Sequence, residues 1–476
     1  MRSPEARARA LVCVTLLRVA ACRSAPSATP SPPLAPLRVT VRAGFRTNAP
    51  PTPATLAVAW FTADEWRALD HDHAIKPLLD MMPRIRTVRV RVGNDRDVAE
   101  LALDAPADAA VAYAVLDTRG RFFDTLLGRV GGNATGHAEV GSRRATLTLD
   151  ALAEEPPRPE RCVGDRYRLV TIDAPEVRGA LDNPTLRRLC VRLPSTYASE
   201  PARRYPVIYV LPGIRGTDAT VTGDFGPIAD DVGREALYVG VDTSNNAGST
   251  YFVDSPVSGA WARFLFERVV PHVDANFRTL GDASSRGVVG HSTGGFHAVS
   301  VAFRRPDVFS AVGASSPDAL DMATWFLGAD GRADPLWLGW MRVDDAVGGP
   351  GQMTSYAADW SPDARAPRGF AWPFDLTTGA VVPEAWSRWL DASPIAWLSR
   401  EDGLARARRL SGRIYLTCGR RDEARLFAPT ERFADALAHA GVARIWVPTE
   451  YTHLGQRRER LLPMLQHLTS VLAPAR

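Results

Sequence analysis

Short apolar runs recur through the second half of the chain, and amphipathic stretches of helical length separate them. Several runs are continuous rather than alternating, which is typical of strands buried on both faces of a parallel sheet. The pattern predicts strands at Tyr167–Ile172, Leu186–Leu193, Pro206–Leu211, Leu237–Val241, Gly287–Gly290, Ala311–Ser315, Ile414–Thr417 and Arg444–Val447. It predicts helices at Trp261–Asn276, Phe296–Arg304, Thr430–Ala440 and Arg457–Leu472. This alternation predicts an α/β domain over residues 160–476, with helices on both faces of the sheet.

Residues 38–153 have a different pattern, in which short runs rich in β-branched residues are separated by Gly, Asn, Asp and Pro. The runs predict strands at Leu37–Arg42, Ala54–Phe61, Thr87–Val92, Ala109–Leu116 and Ala145–Leu149. We therefore expect an N-terminal β-sandwich domain, joined to the α/β domain by the proline-containing stretch Glu154–Pro159.

Four aromatic side chains of this domain, Trp60, Trp66, His71 and His73, have the chemistry of a sugar-binding surface. Such residues are more often core or loop residues, so both interpretations stay open.

The alternation of strands and helices stops between residues 316 and 398. Eight of the twelve tryptophans lie there: Trp325, Trp337, Trp340, Trp360, Trp372, Trp386, Trp389 and Trp397. An insertion of this length between two core strands is where a lid would lie. We expect most of these rings to form the core of the insertion itself and a few to face a substrate.

The N-terminus has the pattern of a bacterial export signal, predicted to span residues 1–22. Basic residues precede the short apolar stretch Ala10–Leu17, which is too short to cross a membrane. The small residues before Cys22 resemble a lipoprotein box, in which that cysteine would carry lipid; ordinary cleavage nearby and no export are the alternatives. Residues 23–37, rich in Ser, Ala and Pro, are predicted to form a tether.

Composition narrows the class of function. The 57 basic and 53 acidic side chains leave a net charge of +4, spread along the chain, so no nucleic-acid partner is implied. Cys162, Cys190 and Cys418 lie outside the signal, so at most one disulfide joins two of them. A Cys162–Cys190 bond and free buried thiols are both open, and the spacing gives no metal signature.

The strongest chemical motif is Gly290-His-Ser-Thr-Gly294, which matches G-x-S-x-G. It lies between a predicted strand and the predicted helix Phe296–Arg304. Strand, tight serine turn and helix are the parts of a nucleophile elbow, in which the serine hydroxyl stands above the sheet. The motif alone is common by chance, and its strand–helix context makes Ser292 the candidate nucleophile.

A serine nucleophile needs a base, and the base needs an acid that orients it. His453 follows the predicted strand Arg444–Val447 and is the candidate base. His291 is expected to point away from the serine hydroxyl, and His297 to pack inside the following helix. Asp422 is the candidate acid because it follows the strand Ile414–Thr417, with Glu423 as the alternative.

The reaction would also need donors for the negative charge that develops on the substrate oxygen. The backbone N–H of Thr293, directly after the serine, is one candidate. The loop after Pro206–Leu211 is the expected source of the other, with the N–H of Ile214 as the candidate.

Taken together, residues from about Tyr167 to Leu472 resemble the esterase D-like family of α/β-hydrolases, which includes feruloyl esterases, siderophore esterases and mycolyltransferases. The motifs that carry the resemblance are Tyr205–Gly213, Tyr251–Pro256, Val270–Arg278, the Ser292 elbow, Gly419–Asp422 and Thr452–His453. One departure is Pro212, where many members carry His. The resemblance implies an α/β-hydrolase fold, an ester substrate and an acyl-enzyme.

The sequence thus predicts an exported serine esterase with the triad Ser292, His453 and Asp422 and with no metal or organic cofactor. The expected partner is a small-molecule or carbohydrate ester, and Cys22 would anchor the protein to a membrane. Transfer of the acyl group to a sugar hydroxyl by the same triad is one rival. A surface-binding protein without catalytic activity is the other, and the oligomeric state is open.

Overall fold

The computed structural model describes residues 34–43, 52–68, 86–92, 97–117, 134–141, 144–151, 162–348 and 350–476. The described residues of the N-terminal part form seven strands and one short helix. These are β1 Leu34–Ala43, β2 Thr52–Phe61, α1 Ala63–Ala68, β3 Arg86–Val92, β4 Asp97–Pro106, β5 Val111–Asp117, β6 Ala134–Glu139 and β7 Arg144–Ala151. The strands are hydrogen-bonded in the order β3-β2-β5-β6-β7-β1-β4, in which β1 and β7 are parallel.

The five strands predicted for this part are confirmed, and two others, β4 and β6, were missed. Both missed strands are rich in residues with weak β propensity, such as Asp, Glu, Ala and Gly, so their local pattern is faint. Leu56 and Trp60 of β2 belong to one buried cluster with Leu103 of β4 and Leu147 of β7. The sandwich arrangement stays a prediction.

The predicted tether extends too far, because its last residues, Leu34–Leu37, are part of β1. They are paired with Leu103–Pro106 of β4, and that pairing needs an ordered strand. The predicted signal, Cys22, the rest of the tether, His71, His73 and the linker Glu154–Pro159 lie outside the described residues.

The C-terminal part is built on a mixed sheet of eight strands. These are β8 Tyr167–Asp173, β9 Leu186–Arg192, β10 Val207–Leu211, β11 Leu237–Val241, β14 Arg286–His291, β15 Ala311–Ser315, β16 Ile414–Gly419 and β17 Ile445–Thr449; β12 Asp254–Ser255 and β13 Gly259–Ala260 form a separate small hairpin. The order is β17-β16-β15-β14-β10-β11-β9-β8. The six strands from β17 to β11 are parallel, and β9 pairs antiparallel with both of its neighbours. All eight predicted strands are confirmed to within two residues at each end.

Helices follow most of these strands. They are α2 Gly226–Ala229, α3 Trp261–Arg263, α4 Val270–Asn276, α5 Thr293–Arg304, α6 Met322–Phe326, α7 Pro335–Val347, α8 Gln352–Trp360, α9 Pro383–Ala392, α10 Pro394–Trp397, α11 Glu401–Arg409, α12 Phe427–His439 and α13 Arg457–Val471. The predicted helix Trp261–Asn276 is interrupted, because a π-helical stretch at Phe264–Val269 separates α3 from α4. The helix after the elbow begins three residues earlier than predicted, at Thr293. Mixed sheet and helices together form an α/β-hydrolase fold.

Residues 316–398 form the short helices α6 to α10, and among the described residues none of this segment joins the eight-stranded sheet. Seven of its eight tryptophans are buried, and Trp372 is half-buried. Trp389 has no exposed surface and lies edge-on to the rings of Phe326, Tyr356 and Trp360. The tryptophans therefore form the interior of the segment.

Two further features connect the parts of the fold. A disulfide joins Cys162 to Cys190 of β9, which decides between the two open interpretations of these cysteines, while Cys418 is a free, buried thiol. Strands β2 and β3 contact α7, so the N-terminal sheet packs on the tryptophan-rich segment.

In the part of the chain that the structure describes, no helix is long and apolar enough to cross a membrane.

Candidate active site

Ser292 lies at the tight turn between β14 and α5, as the sequence predicts for an elbow. Its φ of 59° and ψ of −131° are strained for a residue with a side chain. A Cβ at Gly290 would lie 2.1 Å from the carbonyl oxygen of Gly294, and one at Gly294 would lie 2.2 Å from that of Leu211. Only glycine fits at either position, and this explains the motif in steric terms.

The structure brings the three predicted side chains into one hydrogen-bonded row. The Nε2 atom of His453 lies 3.1 Å from the Ser292 Oγ, and its Nδ1 atom lies 2.9 Å from Oδ2 of Asp422. These residues come from the loops after β17, β14 and β16, at the carboxyl edge of the sheet. Open α/β sheets gather their sites at this edge.

The electrostatics of this row stabilise the charged forms of Asp422 and His453 relative to the free side chains. Burial disfavours the imidazolium, but the charge of Asp422, the hydrogen bond to it and the charge of Asp318 together raise the pKa of His453. Burial also disfavours the Asp422 carboxylate, yet the charge of His453 and the hydrogen bond between them lower its pKa. The other oxygen of Asp422 accepts the backbone N–H of Ala424 at 3.0 Å, which fixes the carboxylate plane.

The alternative acid, Glu423, has a different place. Its Oε2 atom accepts the backbone N–H of His453 at 2.7 Å, so it holds the histidine loop and does not bond the imidazole ring. Arg460 of α13 supports the same loop, donating to the carbonyl oxygens of His453 at 2.9 Å and Thr452 at 2.5 Å. Sequence reasoning gave no role to Arg460, because its partners are recognisable only in the folded loop.

The two other histidines near the elbow take no part in the row. Nδ1 of His291 lies 3.2 Å from the hydroxyl of Ser315, and burial together with the neighbouring His453 holds its pKa well below the usual value. The ring of His297 lies fully buried, edge-on to Tyr251 and Phe252. Both positions agree with what the sequence predicts.

The candidate oxyanion donors lie beside the serine. Thr293 is the first residue of α5, and a Cβ at Gly213 would lie 3.7 Å from the Ser292 Cβ, so the loop containing Ile214 passes next to the nucleophile. Among the described hydrogen bonds, neither the Ile214 N–H nor the Thr293 N–H has a protein acceptor. The oxyanion role of these two N–H groups stays a prediction.

A further carboxylate lies next to the serine, and the sequence analysis missed it. Oδ1 of Asp318 is 3.4 Å from the Ser292 Oγ, and Oδ2 accepts from the Thr293 hydroxyl, Gln352 and Tyr356. Asp318 follows β15 by three residues, so its position near a strand end was an available signal. Gln352 and Tyr356 lie on α8 and gave no signal in the sequence.

No group of three or more His, Cys, Asp or Glu side chains within the described ranges is arranged to hold a metal ion. This edge of the sheet brings together a serine hydroxyl, an imidazole ring, two carboxylates and two backbone N–H groups. Such a set can carry out acyl transfer.

Similar proteins include two curated relatives from strains of Mycobacterium tuberculosis, named Esterase Rv1288 and Esterase MT1326. Each is 31% identical to this chain over 182 residues, which is 37% of this chain and 37% of the relative. The match thus spans little more than a third of the length of these relatives.

Solved structures also resemble part of this chain. A ferulic acid esterase is 18% identical and covers 64% of this chain and 100% of its own, with a TM-score of 0.45. Mycobacterium tuberculosis MPT51 (FbpC1) is 12% identical and covers 65% of this chain and 100% of its own, also with a TM-score of 0.45. At these TM-scores the overlap carries no functional argument.

The decisive comparison is with protein families. Residues 184–444, more than half of the chain, match the family described as "Putative esterase". That range contains the elbow, Asp422 and most of the eight-stranded sheet, whereas His453 lies beyond it. The chain belongs to this esterase family.

Proposed function

We propose that this chain is a serine esterase that hydrolyses a carboxylic ester through an acyl-enzyme. The observation that supports the proposal is the continuous row of hydrogen bonds from Ser292 through His453 to Asp422. Family membership agrees with an ester substrate.

In this mechanism the Ser292 Oγ attacks the ester carbonyl carbon while its proton passes to Nε2 of His453. The imidazolium then gives that proton to the alcohol oxygen as the carbon–oxygen bond breaks, and the acyl group stays on the serine. A water molecule attacks the acyl-enzyme, His453 takes a proton from it, and the serine regains its proton as the acid leaves. Asp422 keeps Nδ1 protonated throughout.

The N–H groups of Ile214 and Thr293 would bind the oxygen of each tetrahedral intermediate. Both are backbone donors, so their positions are set by the elbow and by the loop after β10 before substrate arrives. Losing one such donor costs about 3–4 kcal/mol of transition-state stabilisation in a well-studied protease.

The test is the Ser292→Ala variant, assayed with a p-nitrophenyl ester. Loss of a triad nucleophile costs about six decades in turnover, so activity should fall to the background rate. Ser300→Ala is a matched control, because Ser300 is a fully buried serine on α5 whose hydroxyl has no partner among the described residues. If Ser292→Ala keeps activity within about tenfold of the wild type, the assignment of the nucleophile is wrong.

We also propose that residues 316–398 close over this site. The support is that the end of the α7–α8 connection and the first residue of α8 reach its surroundings. Arg215, next to Ile214, donates to the carbonyl oxygen of Pro350 at 3.2 Å, and Gln352 donates to Asp318 at 2.9 Å. Exchange of this segment should therefore change which esters are accepted, and an unaltered order of kcat/KM over an ester series would contradict this.

Export and lipid attachment at Cys22 are proposals that rest on the N-terminal residues alone. A lipoprotein carries several acyl chains, so the protein should sediment with membranes when a bacterium with lipoprotein processing expresses it. Metabolic labelling with an alkyne fatty acid should mark the wild type and leave Cys22→Ala unmarked. A wild type that takes up no label would contradict the proposal.

A further inference from the structure

Asp318 lies in a constrained turn directly after β15. The residues two before it and one after it, Ser316 and Ala319, have φ values of 42° and 47°, in the left-handed region that side chains rarely adopt. The backbone N–H of Asp318 donates to the carbonyl oxygen of Ser292 at 3.3 Å. Backbone strain of this kind persists where the surrounding structure fixes a side chain in place.

The two carboxylate oxygens of Asp318 have different surroundings. Oδ2 accepts three hydrogen bonds, at 2.5 Å from the Thr293 hydroxyl and at 2.9 Å each from Gln352 and Tyr356. Oδ1 faces the Ser292 Oγ at 3.4 Å. The three donors therefore fix the carboxylate so that one oxygen is directed at the nucleophile.

Asp318 is 1% exposed, and no arginine or lysine forms an ion pair with it among the described residues. Burying a carboxylate without a cationic partner costs free energy, and an amide side chain could accept the same donors without a charge. Supporting Thr293, Gln352 and Tyr356 is thus not a sufficient role for a charged group here. A cation would form close by in the proposed reaction, when His453 becomes an imidazolium. The Ser292 Oγ lies 3.4 Å from Oδ1 of Asp318 and 3.1 Å from Nε2 of His453.

The charged groups around His453 come from several elements. Asp422 bonds its Nδ1 atom, Glu423 bonds its backbone N–H, Arg460 bonds its carbonyl oxygen, and the ring of His291 lies 4.8 Å away. The charge of Arg460 opposes a positive charge on the imidazole, and that of Asp422 favours it. Asp318 adds a second carboxylate on the side of the serine hydroxyl.

We propose that Asp318 is a positioning residue whose charge, held beside the Ser292 Oγ, stabilises the His453 imidazolium during catalysis. The inference rests on the proposed serine mechanism and adds a second carboxylate to it. Burial raises the pKa of Asp318, and the Thr293 hydroxyl, the charge of His453 and the Tyr356 hydroxyl act in the opposite direction. The charge of Asp318 is in turn one of the causes that raise the pKa of His453.

The test is Asp318→Asn, in which the side chain keeps its size. The amide oxygen can take the place of Oδ2 and keep its three donors, whereas the amide N–H then faces the Ser292 Oγ as a donor instead of an acceptor. Without the negative charge, the pKa of His453 falls. The acid limb of the kcat/KM profile should then move to lower pH by at least about half a unit, since an opposite charge within a few ångströms shifts a pKa by roughly one to three units.

The plateau value of kcat should fall at least about tenfold in the same variant, which corresponds to about 1.4 kcal/mol. Asp321→Asn is the matched control: Asp321 is buried three residues later and bonds Thr324 and Arg432. It should leave the midpoint of the limb unchanged. A folded Asp318→Asn variant with the wild-type midpoint and the wild-type kcat overturns the proposal.

If Asp318→Asn does not fold, the Tyr356→Phe variant tests the same proposal. It removes a single hydroxyl that stabilises the ionised carboxylate, and its ring keeps the contact with Trp360. The loss of kcat/KM should be larger in the acid limb than on the alkaline plateau; a purely structural role predicts the same factor at every pH and would overturn the proposal. A fluorophosphonate probe that labels Ser292 in the wild type upholds the serine mechanism separately, so that a failure here concerns Asp318 alone.

Discussion

The carboxyl edge of the eight-stranded sheet and the tryptophan-rich segment 316–398 both contribute polar groups to the surroundings of Ser292, but in different ways. The sheet delivers Ser292, Asp422 and His453 on loops that directly follow β14, β16 and β17. The segment delivers Asp318 from its first residues, and Gln352 and Tyr356 from a helix that reaches the serine through Asp318. One region thus carries the proposed reacting groups, and the other holds their surroundings in place.

A site of this kind therefore depends on two sorts of interaction. Along the sheet, backbone pairing fixes the strands, and a few hydrogen bonds, such as those from Arg460 to the His453 loop, complete the placement of the loops that follow them. In the segment, placement depends on buried side chains: Asp344 accepts the backbone N–H groups of Met353 and Thr354 at the start of α8. Changes at the sheet edge should therefore abolish the chemistry, whereas changes in the segment should weaken it.

The largest contrast is expected between two neighbouring carboxylates. Asp422→Asn should lower kcat by about four decades, because the amide favours the wrong tautomer of the histidine, as in the serine protease case. Glu423→Gln should cost less than about tenfold, since the amide oxygen can still accept the backbone N–H of His453. Steady-state kinetics of both variants measure this, and a more damaging Glu423→Gln would mean that the wrong carboxylate has been assigned.

The sequence predicts the site residues at the sheet edge well and those of the tryptophan-rich segment poorly. The strands of the sheet are continuous apolar runs with clear ends, so β11 and β15 are placed to the residue and the strand-end candidates Asp422 and His453 follow from them. Asp318 also follows a strand, yet the sequence pattern assigns Ser316-Pro-Asp318 to the beginning of the insertion. Gln352 and Tyr356 could not be found, because their partner lies 34 and 38 positions away.

The tryptophans show the limit of composition as a guide. Their number in one segment suggested substrate contacts for some of them, but a sequence does not show which face of a ring is covered. The structure places seven of the eight in the interior, and these rings pack mainly on each other and on Phe326 and Tyr356. Trp372 is the remaining candidate for a ring that faces a ligand.

A medium effect should separate two buried tryptophans of the segment. Nε1 of Trp325 donates to the carbonyl oxygen of Ala424 at 2.8 Å. The backbone N–H of Ala424 in turn donates to Oδ1 of Asp422, so Trp325 supports the carboxylate indirectly. Trp325→Phe should lower kcat/KM roughly three- to tenfold, the equivalent of one hydrogen bond of about 1 kcal/mol.

Its control is Trp389→Phe, which also loses one indole hydrogen bond, here to the Ser361 hydroxyl at 3.0 Å, within the segment. The two variants should lower Tm by similar amounts, and only Trp325→Phe should lower kcat/KM. Equal kinetic losses in both variants would mean that the segment acts on catalysis only through its stability.

The smallest effect concerns the pH dependence of stability. Asp359 of α8 accepts the Ser258 hydroxyl and the backbone N–H of Tyr251, and burial raises its pKa to about 7. Because this value lies above that of an unfolded chain, the folded state binds the proton more tightly. The free energy of unfolding should therefore fall as pH rises from about 4 to about 7, by at most about 1.4 kcal/mol per unit from this group.

Asp359→Asn removes this contribution. The Tm of the wild type minus the Tm of the variant should therefore fall as pH rises through that range. Asp363→Asn is the control, because its carboxylate is paired with Arg365 and has a lowered pKa. Its Tm difference from the wild type should stay constant over the same range. A parallel course for Asp359→Asn would show that this carboxyl titrates normally in the folded protein.

The most direct test of the central claim is to identify the residue that becomes covalently modified. The purified protein is treated with a fluorophosphonate probe, digested, and its peptides are weighed by mass spectrometry. We expect one adduct, on the peptide containing Ser292, that is absent from Ser292→Ala and forms much more slowly in His453→Ala. An unmodified wild-type protein, or an adduct on another residue that survives Ser292→Ala, would contradict it.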